Sequence, residues 1–187
     1  MTDFRWRPME AQDIDGVVAV AATAFPDHFE GRACFEERFA LFPQGCFALT
    51  RPRTPSDDGT VDGAATADLV PGAEEMKGYL IAYPWTHGEI PPLNSLLGAL
   101  PQRQDVLYLH DLALHPDVRG QGHPRPIVAH LAALARTLDF PAITLVSVNA
   151  SVPFWQAMGF EPTDADPAIT RKLESYGDGS RYMARPI

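Results

Sequence analysis

The sequence predicts an α/β (α+β) fold, and three observations carry that reading. Apolar runs of strand length alternate with segments whose apolar residues recur at helical spacing. The run Val106 to Leu114, the helical stretch Pro124 to Phe140 and the β-branched run Ala142 to Val148 follow one another closely, which implies a parallel strand pair with a right-handed helical crossover. Between the first strand and the helix lies Arg119-Gly120-Gln121-Gly122, a glycine-rich loop at a helix N-terminus. Backbone N–H groups converge at such a place and the helix dipole favours negative charge, so the loop suits a phosphate.

The elements follow in order. Phe4 to Pro8 reads as a short first strand. Met9 to Ala24 has helical spacing, with Ile14, Val17, Val18 and Ala21 on one face, and Pro26 stops it. Ala33 to Phe42 is a second helix, with Phe35, Phe39 and Phe42 at helical intervals and Pro43 as terminator. Gly45 to Thr50 is a strand. Residues 51–76 have almost no large apolar side chain to bury and are expected to form a mobile loop. Lys77 to Tyr83 is the next strand, ended by Pro84. Residues 85–105 form a second irregular stretch, expected on the acceptor side, in which Leu93 to Leu100 has the composition of a short helix over a cleft. The helix after the glycine loop carries Ile127, Leu131, Leu134 and Leu138 as its buried stripe and ends at Pro141. Ser151 to Met158 is a short helix closed by Gly159. A turn at Gly177-Asp178-Gly179 precedes a last strand, Arg181 to Arg185.

Composition sets bounds. A chain of 187 residues with 45% hydrophobic content builds one domain, 1–187, with a substantial core. No apolar run is long enough to span a bilayer, and the opening MTDFRWRPMEAQD lacks the order of a signal peptide, so a cytoplasmic protein without membrane contact is expected. Cys34 and Cys46 read as reduced thiols, and no metal spacing is present. The net charge of −9 argues against nucleic acid. Residues 52–75 alone carry −5 of it, and an acidic surface serves solubility before it serves a cationic substrate.

Three stretches carry a resemblance: LALHPDVRGQG (Leu112–Gly122), VNASVPFWQAMGF (Val148–Phe160) and the opening FRWRPMEAQDID. Together with the element order they resemble the GNAT superfamily of N-acetyltransferases. The family's loop pattern is Gln or Arg, two residues, Gly, one residue, then Gly or Ala, and Arg119, Gly122 and Pro124 occupy those places. Its second mark is an Asn after a strand, a short helix, then Gly-Phe, matched by Asn149 and Gly159-Phe160. The closing YGDGSRYMARP resembles the end of a bacterial branch with no acceptor to name. The resemblance implies a mixed, twisted sheet of six to seven strands with splayed central strands and about four flanking helices.

It also implies acetyl-CoA as cofactor, with CoA as product. The pantetheine arm would pair with Leu112, Ala113 and Leu114, and the pyrophosphate would sit on Arg119, Gly120, Gln121, Gly122, His123, Pro124 and Arg125. Asn149 would hydrogen-bond the arm. Two departures stand out. Pro124 removes one N–H from the cradle, although proline suits a first helical turn. Trp155 stands where many members have a tyrosine that protonates the departing thiolate; either the thiolate, a tolerable leaving group, departs without full protonation, or Tyr176 or Tyr182 takes that part.

The acceptor amine must lose a proton before it attacks. His110 and Asp111 are adjacent on the central strand and are expected on opposite faces, so that only one meets the cleft; His110 is the favoured base. His87 and Glu89 are second candidates. The implied activity is acetyl transfer to a primary amine of a small molecule or peptide, direct and in a ternary complex. The alternatives are a GNAT-fold binding or sensor module without turnover, and a subunit that homodimerises through its C-terminal strand.

Overall fold

The computed structural model describes residues 4–26, 30–52, 74–163, 169, 172–173, 176 and 179–187. Seven strands form one mixed sheet: β1 (Arg5–Pro8), β2 (Cys46–Pro52), β3 (Glu74–Trp85), β4 (Val106–Leu114), β5 (Ala142–Ser147), β6 (Glu161–Pro162) and β7 (Arg181–Pro186), in the order β1-β2-β3-β4-β5-β7-β6. Among the described residues, the helices α1 (Ile14–Ala24), α2 (Arg32–Leu41), α3 (Pro124–Thr137) and α4 (Val152–Gln156) pack against it. β1 to β4 form an antiparallel meander, β4 and β5 are parallel, and β7 is antiparallel to β5. The β4–α3–β5 unit is thus the crossover that the sequence predicts.

The core lies where helical stripes meet the sheet. α1 buries Ile14, Val17, Val20 and Ala21, with Val18 only half-buried, and α3 buries Ile127, Val128 and Leu131 while Leu134 and Leu138 pack at its margin. Tyr79 to Tyr83 of β3 are completely buried, as a central strand covered on both faces requires.

Several sequence expectations are corrected. β3 does not stop at Pro84. The ladder with β2 ends at Ile81 opposite Cys46, so Pro84 has no β2 partner to which an N–H would be owed, and it stays paired with Leu107 of β4. The expected loop 51–76 is shorter than predicted: Arg51 and Pro52 pair with Glu75 and Glu74, and Arg51 Nη2 lies 2.6 Å from Glu75 Oε2. The remainder of that stretch, 53–73, falls outside the described residues, as do Gly177 and Asp178. Leu93 to Leu100 forms turns instead of a helix. Its N–H groups go to carboxylates: Asn94 to Glu30 Oε1 (2.7 Å), Leu97 to Glu37 Oε2 (2.6 Å) and Gly98 to Glu37 Oε1 (2.9 Å). β7, the last strand, pairs with β5 along its whole length on one side and with the two-residue β6 at Met183 and Ala184 on the other.

Candidate active site

β4 and β5 are paired only at Leu107 with Ile143 and Tyr108 with Thr144. Beyond Tyr108 the strands part, and a cleft opens with Leu112 on one wall and Val146 on the other. The cleft has two chambers that share Phe25, Leu112 and Phe154. The inner chamber has a volume of about 180 Å³ and the outer about 530 Å³. The sheet edge left free on β4 supplies backbone groups that need a partner.

A β-bulge shapes the inner chamber. On β3, Ile81 faces Asp111 and Ala82 faces Leu109, so His110 has no residue opposite it. The extra residue cancels the alternation of side chains. His110 and Asp111 therefore do not point to opposite faces as the sequence led us to expect. Both border the inner chamber, and each has a ring nitrogen or carboxylate oxygen within 4.8 Å of the other's and of Glu30's.

Glu30, just before α2, organises this end. Its Oε2 lies 2.6 Å from His110 Nε2, and its Oε1 accepts from Arg38 Nη2 (2.8 Å) and from the Asn94 N–H. Burial pushes the Glu30 carboxyl up, but the His110 bond, the Arg38 charge and the Asn94 amide outweigh it and hold it below the ordinary glutamate range. Tyr83 O–H lies 3.0 Å from His110 Nδ1. Burial keeps that phenol protonated well above its usual value, against the pull of Arg38. Tyr83 thus holds Nδ1 while Glu30 holds Nε2. Both ring nitrogens of His110 are committed, and its side chain is 3% exposed. Asp111 accepts from Tyr79 O–H at Oδ2 (3.0 Å). Burial first, and then the Glu30 charge, raise its carboxyl above the ordinary aspartate value despite His110, Tyr79 and Arg38.

Tyr176 borders the same chamber and donates to the Pro91 carbonyl (3.2 Å); burial and the charges of Glu30 and Asp111 keep it protonated. Tyr182 does not border it, and its oxygen accepts from the Gly88 N–H (3.1 Å). His87 and Glu89 are exposed and border neither chamber. Asn149 does border the inner chamber, held at φ 53° two residues beyond the end of β5. Trp155 is chamber wall, edge-on to Phe154 and Phe160 at ring-centre distances of 4.9 and 5.4 Å.

The outer chamber is the cradle. Leu112, Ala113 and Leu114 line one side, and Arg119, Gly120, Gly122, Pro124 and Arg125 the other. Gly120 and Gly122 have φ of 74° and 83°, and a Cβ added to either would meet no atom within 4 Å. Arg119 Nε donates to the Leu114 carbonyl (3.1 Å), which ties that cation to the end of β4. The side chains of Gln121 and His123 make other contacts, while the expectation for Gln121 concerns its backbone N–H. The Gln121 amide donates to the Asp117 carbonyl (2.9 Å), and the His123 ring packs edge-on against Phe4 at 6.5 Å; neither residue borders a chamber. The first turn of α3 contains a second proline, Pro126, which the sequence reading passed over, so two of its first three positions lack an N–H. An open glycine cradle, two cations and a strand edge without a partner fit a diphosphate with an extended arm.

The GNAT acetyltransferase family model matches residues 42–160. The chain belongs to the GNAT acetyltransferase family. It is accordingly an N-acetyltransferase, an enzyme of acyl transfer with acetyl-CoA as its cofactor. No curated protein sequence matches this GNAT acetyltransferase. Solved structures share its fold. Ard1 from Thermoplasma volcanium is 14% identical with a TM-score of 0.65, over 98% of this chain and 97% of that one. The ribosomal-protein-S18-alanine N-acetyltransferase from Escherichia coli is 16% identical with a TM-score of 0.58, over 98% and 94%. The NatC complex bound to Gag peptide and CoA is 12% identical with a TM-score of 0.66, over 100% and 99%. Among the described residues of this GNAT enzyme, no helix is long and apolar enough to cross a membrane.

What sequence reasoning missed here is Glu30, Arg38, Tyr79 and Tyr83. None sits in a motif, and only the pairing of distant segments brings them to His110 and Asp111.

Proposed function

We propose that this GNAT acetyltransferase acetylates a primary amine of a small molecule or peptide by direct transfer, with amine and acetyl-CoA bound together, in the cytoplasm. The observation that carries the reading is the inner chamber. It is continuous with the cradle and contains carboxylates and a phenol but no activated nucleophile among the described residues. Cys34 and Cys46 are buried outside the cleft, and burial pushes the Cys46 thiol up to about 12. Ser151, at the chamber wall, spends its proton on the Val148 carbonyl (2.6 Å). The absence of a cysteine or base-activated serine among the described lining residues supports direct transfer over a covalent acyl-enzyme.

Acetyl-CoA supplies the acetyl group as a thioester, whose C–S bond is exchanged for a C–N bond while the released thiol takes up one proton. The chain's residues do the rest. Leu112 to Leu114 offer backbone partners to the arm, and a backbone N–H near Leu114 steadies the carbonyl oxygen. Arg119, Gly120, Gly122 and Arg125 hold the diphosphate, and Asn149 orients the arm. Tyr176, kept protonated by its surroundings, gives its proton at the sulfur end. His110 is retained in the proton-handling group, with Glu30 and Tyr83 fixing its ring.

Isothermal titration with CoA, followed by initial rates over an amine panel, tests this. Intersecting double-reciprocal lines are expected. Parallel lines would reject direct transfer, and CoA binding without acetylation of any amine would favour a binding module, the reading that Pro124, Pro126 and Trp155 motivate.

A further inference from the structure

The inner chamber has an unbalanced charge. Among the described residues that border it there is no lysine or arginine, while Glu30 and Asp111 both do. Glu30 is already answered, since its oxygens receive Arg38, the Asn94 N–H and His110. His110 has no free nitrogen, as Glu30 and Tyr83 occupy both. Asp111 differs. Its Oδ2 takes the Tyr79 hydroxyl, and its Oδ1 receives no hydrogen bond from the described residues. A carboxylate has about four acceptor sites, so this one has capacity to spare. It is also half-buried, directly before Leu112, where the arm-binding edge of β4 begins. The walls around it are apolar: Phe25, Leu93, Leu145, Phe154 and Trp155.

We infer that the acceptor is a compact primary amine with an apolar body and no carboxylate next to the nitrogen, and that Asp111 binds its ammonium and receives its proton. The inference rests on the amine-acetylation reading. An ammonium ion answers the carboxylate that, among the described lining residues, meets no cation. A carboxylate carried in beside it would face Asp111 and Glu30 with no cation among the described lining residues to receive it, and buried like charges repel strongly. A chamber of about 180 Å³ suits a compact group next to the nitrogen. In the proton step an N–H bond breaks with its electron pair left on nitrogen, and an O–H bond forms at Asp111 Oδ1. A second N–H bond breaks once the nitrogen has attacked the carbonyl, and that proton balances the one gained by the thiol; the first, held on Asp111, is the net proton released to solvent. Burial and the Glu30 charge bring Asp111 closer in basicity to the amine it must deprotonate. His110, which touches Glu30 and Tyr83, is a positioning residue for this step.

Three acceptors that differ at one group test the class: 2-phenylethylamine, phenylalanine amide and phenylalanine. The first two should show kcat/KM within tenfold of each other, and phenylalanine should fall at least a hundredfold below. Phenylalanine acetylated as fast as its amide overturns the inference. Asp111→Asn should lower kcat at least a hundredfold and weaken 2-phenylethylamine binding to the CoA-loaded protein about tenfold by titration calorimetry. CoA affinity should stay within twofold, which also reports folding, and Asp111→Glu should recover part of kcat. An Asn variant with unchanged kcat and amine affinity overturns the role of Asp111. Wild-type protein that binds CoA and acetylates no amine overturns both this inference and the reading beneath it. Acetylation confined to carboxylate-bearing amines overturns this inference alone.

Discussion

His110 Nε2 and Glu30 Oε2 are 2.6 Å apart, although 80 residues separate them in the chain. This contact joins the segment before α2 to the centre of the sheet, and Arg38 completes it from within α2 with its side chain 0% exposed. Glu30 is the counter-charge for a guanidinium that has no access to water.

Replacing that counter-charge should therefore be costly. Glu30→Gln keeps the shape but leaves Arg38 charged and uncompensated, and breaking a buried pair costs about 3–5 kcal/mol. Urea denaturation at neutral pH should show a loss of that order. A loss below about 1 kcal/mol would mean that Arg38 finds another partner.

Glu30 and Asp111 should respond to pH in opposite senses. The folded-state value of Glu30 lies below its ordinary one, so its contribution is complete above about pH 4.3 and is lost as pH falls through the folded value. The folded-state value of Asp111 lies above its ordinary one. Its cost is absent below about pH 3.9 and grows as pH rises through the folded value. Asp111→Asn should raise the melting temperature at pH 8, with the difference shrinking as the pH falls towards 4. A variant that melts lower at pH 8 would contradict the cost assigned to this carboxylate. Functional groups held at a stability cost are common in enzyme sites.

Gly122 separates folding from cofactor binding. At φ 83° a side chain is strained, by roughly 1–2 kcal/mol, yet a Cβ there meets nothing. Gly122→Ala should thus remain folded with a modest stability loss. Its methyl group would project into the open cradle, and CoA affinity by calorimetry should fall about tenfold or more. Unchanged affinity would remove the cradle from the diphosphate site.

Pro124 makes the converse case. Pro124→Ala returns an N–H to the first turn of α3 without altering the cations Arg119 and Arg125. A hydrogen bond to a charged group is worth about 1.5–3 kcal/mol, so CoA should bind about tenfold tighter or better. Equal affinity would show that side-chain cations carry the phosphate alone, and CoA binding would then weaken steeply with salt.

Much of the fold was legible because its signals are local. The spacing of Ile14, Val17 and Ala21 marks α1, the β-branched run after Pro141 marks β5, and the glycines at 120 and 122 take the left-handed φ that such a loop requires. Local signals also misled. Pro84 is a breaker by itself, yet it lies inside β3 because β2 has already ended beside it. Leu93 to Leu100 has helical composition, but Glu30 and Glu37 take its N–H groups.

The sequence by itself determined the order of elements, the crossover around α3, the phosphate-shaped loop and the family they resemble, because each depends on residues close together in the chain. Only the tertiary structure decided what stands at the inner end of the cleft. Whether His110 and Asp111 share a face depends on how many residues β3 sets against them, and the missing partner opposite His110 is a property of two strands together. Glu30 meets His110 for the same reason: their contact is fixed by the packing of α2 and the loop after β3 against the sheet, which no local pattern encodes.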